Sequence, residues 1–85
     1  MEDKTTAVNV DEILKEDIKD ELISIFNDLK EIGYDSEKQI VAYLVSGDPG
    51  YISSHKDSRN RILRFKREDI IETMLIDFTN RKWFV

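Results

Sequence analysis

At 85 residues and a net charge of −5, the chain is sized for one small domain. Such a domain buries only about 60% of its unfolded surface, so gaining core by pairing into a homo-oligomer is expected. The chain has no cysteine, which excludes a disulfide framework, a thiolate metal site and a cysteine nucleophile and fits a reducing compartment.

Residues 1–11, MEDKTTAVNVD, show no helical period and read as a flexible tail carrying Thr5 and Thr6 in accessible positions. No apolar run there marks a signal peptide. Residues 12–85 read as a single helical domain. From Glu12 to Ile32, the residues Leu14, Ile18, Leu22, Ile25, Leu29 and Ile32 recur every three or four positions. They draw one apolar stripe, widened by Phe26, with charge on the other side. Ile23 lies off the stripe and points to a partner-facing surface. Gly33 stands where helices stop.

Ser36-Glu37-Lys38-Gln39 reads as a capping box, with Ser36 as N-cap and Gln39 reaching back. The run that follows, Ile40 to Val45, is apolar on every side. The cap before it and Gly47 after it favour a short buried helix over a strand. It is the longest apolar run and too short to span a bilayer, so a soluble intracellular protein is expected. Asp48-Pro49 reads as an N-cap with proline at the first helical position, opening a single turn over Gly50 to Ser53. Asp57 reads as the cap of a helix that begins near Ser58 and carries Ile62, Leu63 and Phe65. Lys66 and Asp69 interrupt the stripe. A break is therefore expected near Arg67, followed by a last helix to about Thr79 carrying Ile70, Ile71, Met74, Leu75 and Phe78. Trp83, Phe84 and Val85 form an apolar end expected to pack on the domain or on a partner subunit. The predicted fold class is all-α: a small bundle of four to five helices, two longer ones flanking short central ones.

Charge is distributed unevenly. Residues 1–37 hold twelve acids and four bases, residues 38–67 seven bases and two acids, and residues 68–85 four acids and two bases. An acidic flank beside a basic middle suggests self-complementary association or an anion-binding patch. Lys56, Arg59 and Asn60 recur at i, i+3 and i+4 and form the candidate anion-binding face, for a nucleic acid or a phosphorylated side chain. The plainer alternative is that the basic run pairs with the acidic first helix. A helix-turn-helix-like nucleic-acid module using residues 56–67 is the second functional reading, against which the overall acidity counts.

Catalysis has little support. Asp48, Ser53, Ser54, His55 and Asp57 lie close in sequence, but without the signature of a hydrolase elbow. One histidine and no cysteine do not match zinc spacing. No metal, cofactor or enzymatic activity is expected.

The segment Ser46-Gly47-Asp48-Pro49-Gly50-Tyr51-Ile52-Ser53-Ser54-His55-Lys56-Asp57-Ser58-Arg59-Asn60 is similar to the pattern SGDPAYI..HKDARN. Together with Gly33-Tyr34, Gln39-Ile40-Val41, Tyr43-Leu44, Ile62, Arg67, Ile71 and Glu72, it resembles the IreB family of small regulatory phosphoproteins from low-GC Gram-positive bacteria. Within that block Ser46, Gly47, Asp48, Pro49, Tyr51, His55 and Asp57 are the structural markers. The departures are Ser36 in place of a common proline, Ala42 in place of a glycine, Gly50 in place of an alanine, and a tail lacking the usual phenylalanines. The resemblance implies a cytoplasmic, non-enzymatic, helical homodimer. It also implies phosphorylation near the N-terminus by a membrane Ser/Thr kinase with extracellular PASTA repeats. The implied role is in cell-envelope stress and cephalosporin resistance, through an unidentified downstream protein. Asp3-Lys4-Thr5 matches the family's acid-x-Thr element, which makes Thr5 the implied phosphoacceptor, with Thr6 beside it.

Overall fold

The computed structural model describes residues 11–80. In chain order it contains helix α1 (Glu12–Glu31), helix α2 (Ser36–Ser46), two single 3-10 turns (Pro49–Tyr51 and His55–Asp57), helix α3 (Ser58–Leu63) and helix α4 (Arg67–Thr79). No strand occurs among the described residues, and the all-α bundle with longer outer helices is as expected. Of the predicted tail only Asp11 is described; Thr5, Thr6 and the apolar end at Trp83–Val85 lie outside the described residues.

The long helix α1 is the scaffold on which α2, α3 and α4 pack. Its stripe supplies Ile18, Ile25 and Leu29 to a core completed by Ile40, Tyr43, Leu44, Ile52, Ile62 and Ile70. Asp11 caps its start, the carboxylate accepting from the Ile13 N–H at 2.9 Å. At the other end Gly33 adopts φ +88. The Tyr34 N–H then reaches the Leu29 carbonyl at 3.2 Å and the Gly33 N–H that of Lys30 at 3.0 Å. That bond pair closes the helix in a Schellman motif and turns the chain into α2.

Three local expectations are corrected. Asp35, not Ser36, caps α2, its carboxylate accepting from the Lys38 N–H at 3.1 Å. Ser36 is buried and donates instead to the Phe26 carbonyl across the helix crossing at 2.7 Å, and Gln39 turns away to the following loop. A hydroxyl buried between two helices is more useful bonding its neighbour than capping its own helix, because a buried acceptor left unpaired is costly. Second, α2 is not buried all round: Ile40, Tyr43 and Leu44 face the core, while Val41 and Val45 are 57% and 79% exposed. Third, Asp57 stands before α3 in a left-handed conformation, φ 62, and its carboxylate makes no capping bond. It accepts from the Asn60 side-chain amide at 2.9 Å instead.

The break before α4 falls as expected, over Arg64 to Lys66. Ile70 and Thr73 then lie buried against the bundle. The opposite side of α4 is also apolar, with Ile71, Met74, Leu75 and Phe78 all exposed.

Candidate functional site

The segment from Ser46 to Asn60 crosses from the end of α2 to α3, and side chains of both helices hold it. Gly47 ends α2 at φ +79, with its N–H on the Tyr43 carbonyl at 2.8 Å. The Ser46 hydroxyl donates to the Ala42 carbonyl at 2.7 Å and accepts from the Asp48 N–H at 3.0 Å. Asp48 accepts from the Gly50 N–H at 2.9 Å, so the first turn opens on the predicted Asp-Pro cap. Tyr51 stays half exposed. Ile52 is fully buried, and the peptide that follows it is held on both sides. The Ser53 N–H donates to Gln39 Oε1 at 3.0 Å, and Arg59 Nε donates to the Ile52 carbonyl at 2.9 Å.

The second turn carries His55, Lys56 and Asp57. Lys56 and Asp57 are consecutive non-glycine residues at positive φ, 52 and 62. Such geometry costs of order 1 kcal/mol or more per residue and persists only where surrounding bonds over-determine it. Several do here. The Asp57 N–H donates to the Ser54 carbonyl at 2.9 Å, and the buried Ser58 hydroxyl donates to the His55 carbonyl at 2.7 Å. The Lys56 carbonyl accepts from Arg61 Nη1 at 3.1 Å. The side chains of His55 and Lys56 converge on Glu31 of α1, with Nε2 at 3.0 Å and Nζ at 2.8 Å from Oε2. Lys56 Nζ also stands 3.7 Å from Asp28. The bonds from Lys56 and then His55 hold the Glu31 carboxyl below the usual glutamate range. The same carboxylate raises Lys56.

The basic run thus divides by helical phase. Arg61 lies beside the buried Ile62 and faces α1. Its guanidinium donates to Glu21 at 2.6 Å, Asp28 at 2.7 Å and the Ser24 hydroxyl at 2.7 Å. Glu21 first, then Asp28, pushes it up, and it stays protonated. Arg64 meets Asp17 at 3.3 Å and Glu21 at 3.8 Å. The acidic first helix and the basic segment are complementary surfaces of one protomer. Lys56 is part of that pairing, Arg59 is bonded to a loop carbonyl and Asn60 to Asp57, so the three candidate anion ligands each hold a local partner.

Chemically, the arrangement is an ion-paired joint. Asp48 is occupied as a cap and His55 pairs with Glu31. Among the described residues no group of three or more His, Asp or Glu side chains is placed to hold a metal ion. No helix among them is long and apolar enough to cross a membrane.

Sequence reasoning missed two contributors. Gln39 reads as part of a cap, but its side-chain oxygen accepts from the Ser53 N–H across the joint, a partner that no local spacing indicates. Arg67 covers the end of α2: its Nη1 donates to the Leu44 carbonyl at 3.0 Å, and its guanidinium lies against Gly47, where an added Cβ would stand 2.9 Å from Cζ. Its signal was its place in the family-like pattern, without a physical reason attached. The model of the IreB regulatory phosphoprotein family matches residues 3–80, across this joint and all four helices, and the chain belongs to that family.

Proposed function

We propose that the chain is a non-enzymatic, cytoplasmic regulatory phosphoprotein, a substrate of a membrane Ser/Thr kinase, acting through protein–protein contacts in cell-envelope stress and cephalosporin resistance. The observation that carries the reading is the family match over residues 3–80, which takes in Asp3-Lys4-Thr5 as well as the joint. Thr5 is the phosphoacceptor, with Thr6 as the adjacent second site. The protein acts as a homodimer. The exposed stripe of Ile71 and Leu75 on α4 supports that state, since monomers seldom leave such a face open.

Phosphorylation adds about −1.5 to −2 charges near neutral pH and acts where cations receive it. Lys56, Arg59 and Asn60 are the proposed receiving face, where phosphate competes with Glu31 for Lys56. An extended stretch from Thr5 to Asp11 spans about 20 Å, while α1 runs about 30 Å from Asp11 to Glu31. Within one protomer even a fully stretched tail falls about 10 Å short of the Glu31 end of α1, so reading by a partner copy is the version proposed. The test is to treat the full chain with the kinase domain, map the phosphate by mass spectrometry and compare NMR spectra before and after. Phosphate on Thr5 with shifts at Lys56 and Arg59 is expected. No incorporation at Thr5 or Thr6 would overturn the substrate role, and incorporation without those shifts would overturn the receiving face alone.

A further inference from the structure

A groove follows the seam between α1 and α4. Its wider part, about 400 Å³, is lined by Leu22 and Ile23 of α1 and by Thr73 and Met74 of α4. A narrower part of about 190 Å³ continues it toward Glu12 and Asn80, and Lys19, Thr73 and Asp77 border both. Ile23 is 61% exposed and Met74 42%, so the wide part offers apolar surface to solvent. Thr73 is buried at the seam, and its hydroxyl has no hydrogen-bond partner among the described residues. A buried hydroxyl left unpaired is costly, and only a group that inserts between the two helices can reach this one.

The rim is acidic. Glu12, Glu16, Asp20 and Asp77 border the two parts, against Lys15 and Lys19. Both lysines are already paired, Lys15 with Glu12 at 2.8 Å and Lys19 with Glu16 at 3.3 Å. Asp20 has no ion pair among the described residues and stands one turn before Ile23. Such a rim repels nucleic acid and anionic lipid and attracts a cationic segment. The length sets the form of the occupant. From Glu12 to Ile23 the groove follows α1 for about 16 Å, which three turns of another helix match. A helix laid along a two-helix seam sets a row of side chains into the furrow, with apolar anchors three or four residues apart.

We propose that the α1–α4 groove is the docking site for a basic amphipathic helix of another protein. An apolar side chain of that helix wedges between Ile23 and Met74, and a lysine or arginine pairs with Asp20. A polar side chain within its apolar row reaches Thr73, and the apolar burial on either side offsets the cost of parting the helices. The site uses neither Thr5 nor the Lys56 face, so it is independent of the phosphorylation reading.

The probe is a synthetic amphipathic peptide of about 15 residues, the length at which isolated helices begin to hold. It carries leucines on one face with one glutamine among them, and lysines elsewhere; a counterpart has glutamates in place of the lysines. Titrated into the full chain and followed by amide NMR, the lysine peptide should shift Ile23, Thr73 and Met74, and the glutamate peptide should not. Asp20→Lys should weaken binding about fivefold. Thr73→Val should weaken it about tenfold while raising the urea midpoint of the free protein, a pairing that a purely structural hydroxyl would not give. Asp20 is exposed, so its variant carries the test should Thr73→Val fail to fold. No binding of the lysine peptide overturns the proposal, as does binding that leaves those three amides unmoved, is matched by the glutamate peptide or is indifferent to Asp20→Lys. Shifts at Ile23 and Met74 on dilution of the chain alone also overturn it, because a second copy then fills the groove.

Discussion

Gly47 shows how much one position can carry. Its φ of +79 disfavours any side chain, and the Arg67 guanidinium occupies the space a Cβ would need. Gly33, at φ +88, has nothing within 4 Å of that space. Gly33→Ala should therefore cost only the left-handed penalty of about 1 kcal/mol. Gly47→Ala should cost more, about 2 kcal/mol or above, because Arg67 must also leave the Leu44 carbonyl. Urea unfolding of the two variants, repeated in an Arg67→Ala background, checks this. The excess at Gly47 should vanish once Arg67 is gone, and an excess that persists would count against the contact. Glu31 gives a residue-scale pH test. Its carboxyl is lowered in the folded state, so its contribution to stability is present above the unfolded value of about 4.3 and is lost as pH falls through the lower folded value. Carbon-detected NMR titration should place Glu31 below ordinary glutamates. Lys56→Ala should move it up most of the way, since Lys56 is the first cause and His55 the second.

At the scale of elements, α3 is the informative case. Six residues are too few to hold a helix alone, so α3 depends on what it packs against. Ile62 supplies a fully buried anchor and Arg61 a charged one. Arg61 is mostly enclosed by its four partners, and removing it leaves Glu21 and Asp28 with only the longer contacts from Arg64 and Lys56. Arg61→Ala should cost about 2–3 kcal/mol. Arg64 is half exposed, and Arg64→Ala should cost about 0.5 kcal/mol or less. Denaturant midpoints of the two variants separate these expectations, and equal losses would mean that the pairing with α1 is generic charge attraction. Much of this level was legible beforehand. The stripe in α1, the stop at Gly33, the Asp-Pro turn and the break before Arg67 all follow from local spacing and punctuation. The role of Asp57 was not legible. A capping residue and a left-handed linker residue look alike in sequence, and neighbours such as Asn60 and Ser58 decide between them.

For the whole molecule, the charge map acquires a direction. Lys56, Arg61 and Arg64 are turned inward onto α1, so much of the basic middle is spent within the protomer. A nucleic acid would have to displace those carboxylates, which is why the regulatory reading is preferred over the helix-turn-helix-like one. The apolar side of α4 points outward. If the proposed homodimer uses it, Leu75→Asp should yield a folded monomer by sedimentation velocity, whereas Val45→Asp on the far side of α2 should leave the dimer intact. A dimer that survives Leu75→Asp would move the interface elsewhere.

The sequence by itself determined the all-α class, the helix order and the family, because periodicity, caps and a long motif are local properties. Only the tertiary structure decided what the motif's side chains do. Whether Ser36 caps a helix or bonds its neighbour, whether Lys56 waits for an anion or holds Glu31, and why Gly47 must lack a side chain all depend on which residues lie across the crossing. Those partners are brought together by burial of Ile18, Ile25, Leu29, Ile52 and Ile62 in one core, and no spacing along the chain encodes them.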